Sequence, residues 1–191
     1  MDEKQTLAYY LQRQRDALLW KLDGLSERQL RMPLTPTGTN LLGVVKHVIS
    51  TEVEYLGAVF DRPFAEPLPW MDPQAEPNSD MWATEDQTVD WVRDFGRRAW
   101  AHADATIDAL DLDAPGLVPW WPPERRNTTL HTVLVHVIAE EARHAGQLDI
   151  VRELTDGAAG MSTAHSNMPD LGDQDWSDYT ARLRRLAESF D

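Results

Sequence analysis

Apolar residues recur at helical spacing in four long stretches of the chain. Across residues 4–23, Leu7, Leu11, Leu18 and Leu22, with Tyr10, Ala17 and Leu19 beside them, make a broad apolar stripe. Gly24 then offers a C-cap. Ser26-Glu-Arg-Gln29 has the form of a capping box and predicts a short turn of helix. A second long helix should begin at Thr39 or Asn40, either of which can cap it, and end near Phe60. Its inward positions are Leu41, Val44, Val48 and Leu56, with His47 among them. Gly43 and Gly57 each cost about 1 kcal/mol relative to alanine in a helix interior, which points to close approach of a neighbouring helix or a ligand. Thr84-Glu-Asp-Gln87, again a capping box, predicts a third helix to about Leu110 through Val89, Val92, Phe95, Ala99, Ala103 and Ile107, with His102 beside Ala103. Thr128 or Thr129 caps a fourth, reaching about residue 155. A final short amphipathic helix is expected over Ser177 to Phe190.

Between these stretches the pattern lapses. Residues 61–81 hold five prolines and Trp70, with Trp82 just beyond, and residues 111–127 hold four more prolines with Trp120 and Trp121. Loops longer than about 12–15 residues tend to be functional lids or disordered, and the tryptophans favour an ordered lid. No repeat and no strand signal of any length emerges. The expected fold is therefore all-α: a four-helix bundle with long loops and a short C-terminal helix. Its two long connections argue against simple up-down-up-down order. The chain reads as a single domain, 1–191, with its core over about 4–155 and a C-terminal extension at 156–191.

Composition narrows the function. A formal charge of -14 argues against nucleic acid and against an anionic membrane surface, since phosphate binding needs concentrated lysine and arginine. No apolar run approaches the roughly 18 residues of a spanning helix. The start, Met1-Asp-Glu-Lys-Gln, lacks the basic flank and apolar core of a signal peptide, so a soluble, cytoplasmic protein is expected. The chain has no cysteine, which excludes disulfides, thiolate metal sites and a protein-borne thiol nucleophile. Any thiol chemistry must come from a cofactor. Of eight tryptophans, Trp70, Trp82, Trp120 and Trp121 fall in loops, where they either cover an end of the core or wall a pocket mouth.

The fourth helix carries the candidate chemistry. His136, Glu140 and His144 recur every fourth residue and so project from one side, together with Val133, Val137 and Leu148. His47 lies on the inward stripe of the second helix. Facing bundle helices lie about 8–10 Å apart, so His47 and His144 can meet at one ion. Two imidazoles and a carboxylate suit divalent zinc, nickel, iron or manganese and leave positions open for water or substrate. Spacing alone leaves Glu140 and Glu141 both eligible as the acid. Arg143 and the pair Arg125 and Arg126, beside Trp120 and Trp121, are candidate contacts for an acidic cofactor. Gln147 is within reach of a ligand or of metal-held water.

Two segments resemble a known family. Leu41-Leu-Gly-Val-Val-Lys-His47, followed by Glu52 and Tyr55, is similar to the first-histidine motif of the DinB-like (YfiT-like) metal-binding four-helix superfamily. Glu141-Ala-Arg-His-Ala-Gly-Gln-Leu-Asp-Ile-Val-Arg-Glu153 resembles its C-terminal signature, His-x3-His-Arg-Gly-Gln, with His-Ala-Gly in place of His-Arg-Gly. The resemblance covers most of residues 4–155. It implies one divalent metal held by His47, Glu140 and His144, with Glu140 where many members have histidine, as in the related mycothiol-dependent maleylpyruvate isomerases. His136 then becomes a supporting neighbour one turn away. The resemblance also implies a homodimer and a transferase or isomerase in which a small thiol, of mycothiol or bacillithiol type, attacks an electrophilic small molecule. The rival expectations are a metal-dependent hydrolase, with Glu141 or Glu54 as general base, and a non-catalytic, metal-binding, stress-associated dimer.

Overall fold

The computed structural model describes residues 1–162 and 166–190; residues 163–165 and 191 of the expected C-terminal extension lie outside the described residues. The fold is all-α, with helices α1 (Glu3–Trp20), α2 (Glu27–Arg31), α3 (Leu41–Tyr55), α4 (Val89–Ala109), α5 (Leu130–Asp156) and α6 (Asp173–Glu188). Single-turn 3₁₀ helices stand at Ala58–Phe60 and Pro69–Met71. Among the described residues no helix is long and apolar enough to cross a membrane.

Local chemistry sets most boundaries. Ser26 and Gln29 form the reciprocal capping box that opens α2. Asn40 Oδ1 accepts from the Gly43 amide and starts α3, and Thr129 accepts from Thr132 at the start of α5. Gly157, at φ +82°, closes α5 in the left-handed conformation that glycine adopts without steric cost.

Four expectations need correction. Thr84–Gln87 does not open a helix: Gln87 Oε1 accepts from the Thr84 amide within a turn, and α4 begins at Val89 with Thr88 as its cap. Arg31 accounts for the difference, since its guanidinium takes the carbonyls of Ala83, Thr84 and Gln87 and holds that turn against α2. The second long helix stops at Tyr55, not near Phe60, so Gly57 lies outside it. A two-stranded antiparallel sheet pairs β1 (Pro115–Leu117) with β2 (Asn127–Thr129) in the register Gly116 to Thr128. Three-residue strands leave no periodic trace in a sequence, and this pair is seated by packing of Gly116 on the Phe60 ring. The last helix starts at Asp173, four residues before the expected Ser177, with Asp173 and Asp175 favourably placed in its first turn.

Helix α1 packs chiefly on α5, and α3 packs on both α4 and α5. Leu18, Leu41, Leu42, Val45, Ile49 and Phe95 are wholly enclosed at one end of the bundle, and Leu11, Leu56, Leu130, Val133 and Leu134 at the other. Each such side chain contributes about 1.5–3 kcal/mol. Helix α6 buries none of its described residues.

The 61–81 segment is the ordered cover that its tryptophan suggested. The Trp70 indole donates to Ser50 Oγ at 2.8 Å and packs edge-on against Trp91 and Phe95. Gly43 permits the segment's close approach: a Cβ there would stand 1.8 Å from the Met81 carbonyl oxygen. The neighbour anticipated from the glycine is thus a loop backbone. Gly43→Ala should destabilise the protein by about 2–3 kcal/mol in urea unfolding; a change below about 0.5 kcal/mol would show that this seat yields easily.

Candidate functional site

Helices α3 and α5 bring His47 and His144 together, with ring centroids 5.0 Å apart and planes at 71°. Each ring is held from behind through Nδ1. His47 Nδ1 lies 2.6 Å from Asp80 Oδ2, and His144 Nδ1 lies 2.9 Å from Gln147 Oε1. An amide or carboxylate oxygen can only accept, so both Nδ1 atoms carry hydrogen. The Nε2 atoms make no hydrogen bond among the described residues. In neutral rings they present lone pairs, and the His144 pKa is lowered by burial and then by His47, with Arg143 adding to the effect and Gln147 and Glu140 opposing it.

Glu140 lies on α5 one turn before His144. It lines a cavity of about 280 Å³ with His47, Thr51, Tyr55 and Trp120, and a cleft of about 10 Å³ with His144 and Glu141. Among the described residues no three His, Asp or Glu side chains are already drawn into a cage that could hold a metal ion. The donor types nevertheless suit a divalent cation: two imidazoles fixed through Nδ1 by a carboxylate and an amide, the usual support for histidine ligands, and a carboxylate on the same cavity wall.

Asp80 had no signal in the sequence, because it ends an aperiodic proline-rich run. Its position comes from Lys46, which is buried and not solvent-facing as its type suggests. Lys46 Nζ donates to the carbonyls of Ser79 and Trp82, on either side of Asp80, and rests over the Trp70 ring. Burial lowers the Lys46 pKa to about 8, against the raising influence of Asp80 and Asp86.

His136 meets Tyr55, a residue that its spacing on α5 did not suggest. The indoles of Trp120 and Trp121 donate to the Tyr55 hydroxyl at 2.9 and 3.0 Å, and His136 Nε2 lies 3.1 Å from the same oxygen. Two indole donors occupy the oxygen's lone pairs, so the hydroxyl hydrogen must go to His136 Nε2. That fixes His136 as neutral with its hydrogen on Nδ1. Its lowered pKa agrees, through burial first and Arg125 after, with Glu140 opposing. Of the three arginines, Arg125 is held over Trp121 at 5.4 Å, and Arg143 is exposed on α5. Arg126 Nε is buried without a partner among the described residues. None of the three lines the 280 Å³ cavity.

Behind the site lies a buried charge group. Arg15 pairs with Glu52 inside the bundle and with Asp104 at 2.8 Å. Glu52, like Lys46, is enclosed where its type suggests a solvated face. Glu141 is fully buried, and with both acids deprotonated neither of its oxygens meets a donor among the described residues; a proton held between it and Glu52 supplies the missing bond. Burial, then the charge of Glu52 and that hydrogen bond push its pKa well above the usual carboxylate range, with Arg15 opposing. One negative charge on the Glu52–Glu141 pair, opposite Arg15, fits that arrangement.

Tyr55→Phe should strand two indole hydrogens and cost about 1–3 kcal/mol, visible as a lowered urea midpoint with a shift in tryptophan emission; unchanged emission would argue against the three-way bond. Glu141 binds its proton more tightly in the folded chain, so its stabilising contribution is full below the ordinary glutamate range and is lost as pH rises through the raised value. In metal-free protein, Glu141→Gln should remove that loss, with stability gaining on the parent by at most about 1.4 kcal/mol per pH unit. Parallel stability–pH curves between pH 4.5 and 8 would refute it.

A comparison with known families matches the Mycothiol-S-transferase model over residues 6–157. No curated protein and no solved structure matches the chain. The matched span runs from α1 to the C-cap of α5 and contains every histidine and carboxylate of the site. The chain belongs to the mycothiol-S-transferase family.

Proposed function

We propose that the protein joins the sulfur of mycothiol to an electrophilic small molecule at a divalent metal held by His47, Glu140 and His144. The observation that carries this reading is the pair of imidazoles 5.0 Å apart, each held through Nδ1 and each with Nε2 unengaged among the described residues. A divalent metal supplies Lewis acidity, lowering the pKa of a thiol so that its thiolate is available near neutral pH. With no cysteine in the chain, the sulfur has to arrive with the small thiol. A sulfur–carbon bond forms, the leaving group departs with its electron pair, and the thiol proton passes to solvent.

The chain's own groups prepare that step. Asp80 and Gln147 orient the two imidazoles. Tyr55, fixed by Trp120, Trp121 and His136, shapes the wall opposite. Arg125 and Arg143, which act electrostatically on His136 and His144, place positive potential beside the site, suited to a carboxylate or to developing thiolate charge. The transferase reading is favoured over a hydrolase by the family match.

Metal-loaded protein should accelerate conjugation of mycothiol to a chlorobimane, and chelation should abolish the rate. His47→Ala should lose both bound metal and turnover. Asp80→Ala should weaken metal binding about 10- to 100-fold, measured by competition with a chromogenic chelator. Full metal content in His47→Ala, or no thiol-dependent rate above the solution reaction, would overturn the proposal.

A further inference from the structure

A second and larger cavity lies beside the imidazole site. It is an open cleft of about 570 Å³ between the end of α3 and the 61–81 segment, walled by Val53, Phe64, Leu68 and several prolines. Glu54 and Met71 line both this cavity and the 280 Å³ one, so they form a common wall. A molecule seated in the larger space therefore lies one side chain away from the imidazole pair.

The electrostatics of the two sides differ. Neither cavity is lined by a lysine or arginine among the described residues. The larger one carries Glu54, Glu66 and Asp72. Arg98 neutralises Glu66 through contacts of 2.6 and 3.0 Å, and Asp72 accepts from the Gln74 amide at its exposed position. The Glu54 carboxylate has neither a hydrogen bond nor an ion pair among the described residues, and burial alone raises its pKa. A half-buried carboxylate without a side-chain partner, on a wall that also carries Phe64, Leu68 and several prolines, favours a ligand that combines apolar surface with a cation. With Glu66 neutralised by Arg98, the charge left on the lining is that of Glu54 and Asp72, which repels an anion.

We infer that the 570 Å³ cavity is the electrophile's subsite and that it selects an apolar substrate bearing a cationic group, such as an arylalkylammonium, whose charge docks on Glu54. This rests on the transferase reading of the neighbouring site. Glu54, on the wall common to the two cavities, would hold the cation beside the imidazole site.

The test uses the full chain and does not depend on turnover alone. Benzyltrimethylammonium should bind, by calorimetry at low salt, while benzenesulfonate of similar size should not. Glu54→Gln should weaken the cation about tenfold, as expected for a partly desolvated charge pair, and Glu54→Asp should retain binding; circular dichroism checks that both variants fold. With mycothiol present, the kcat/KM ratio for a trimethylammonio-bimane over neutral bromobimane should fall about tenfold in Glu54→Gln, through KM. Equal cation binding in the parent and Glu54→Gln, absent cation binding, preference for the sulfonate, or displacement of the cation by mycothiol would each overturn the assignment. Glu54-dependent cation binding with no thiol-dependent turnover of either bimane would instead remove the transferase reading and leave a cation site.

Discussion

An ammonium group shut away from water holds the site together. Lys46 is enclosed on α3, where an uncompensated charge would be costly, and the carbonyls of Ser79 and Trp82 with the face of Trp70 replace its hydration. Those carbonyls belong to the 61–82 stretch, so solvating the lysine anchors the cover. Asp80 sits between them and reaches His47. The imidazole orientation on α3 thus depends on a backbone arrangement 33 residues away in sequence, and Gly43 is the absent side chain that lets it close.

The second constraint is charge inside the bundle. Arg15 and Glu52 cross from α1 to α3, and Glu141 approaches from α5. Replacing such a group with well-packed apolar residues is often neutral or stabilising, whereas breaking it by removing one partner is expensive. Burial of Glu141 next to Glu140 faces a carboxylate toward the cleft that His144 lines.

Around the imidazole pair the surroundings are asymmetric. One side is aromatic and basic, with Trp120, Trp121 and Arg125 gathered on Tyr55 and His136. The other holds Glu54, on the wall shared by the two cavities, with Phe64 and Leu68 of the larger one beyond it. An electrophile bearing a cation would meet that carboxylate on its way to the imidazoles.

The sequence by itself determined the four long helices, their apolar stripes, and the placement of His47, Glu140 and His144 on inward faces. Those features follow from short-range rules: a period of 3.6 residues, capping side chains such as Asn40 and Thr129, and glycine at Gly157. Tertiary structure alone decided that Thr84–Gln87 is a turn, because Arg31 competes for its carbonyls. It likewise decided that Lys46 and Glu52 are buried, that β1 and β2 pair, and that Asp80 holds the His47 imidazole, whereas Gln147 meets His144 three residues on along the same helix, a spacing visible in the sequence. His136 shows both levels at once: its helical phase was legible, but its partner Tyr55 was not. Hydrogen bonds between distant segments have no sequence period, and a charged residue reveals its burial only when its partner arrives from another element.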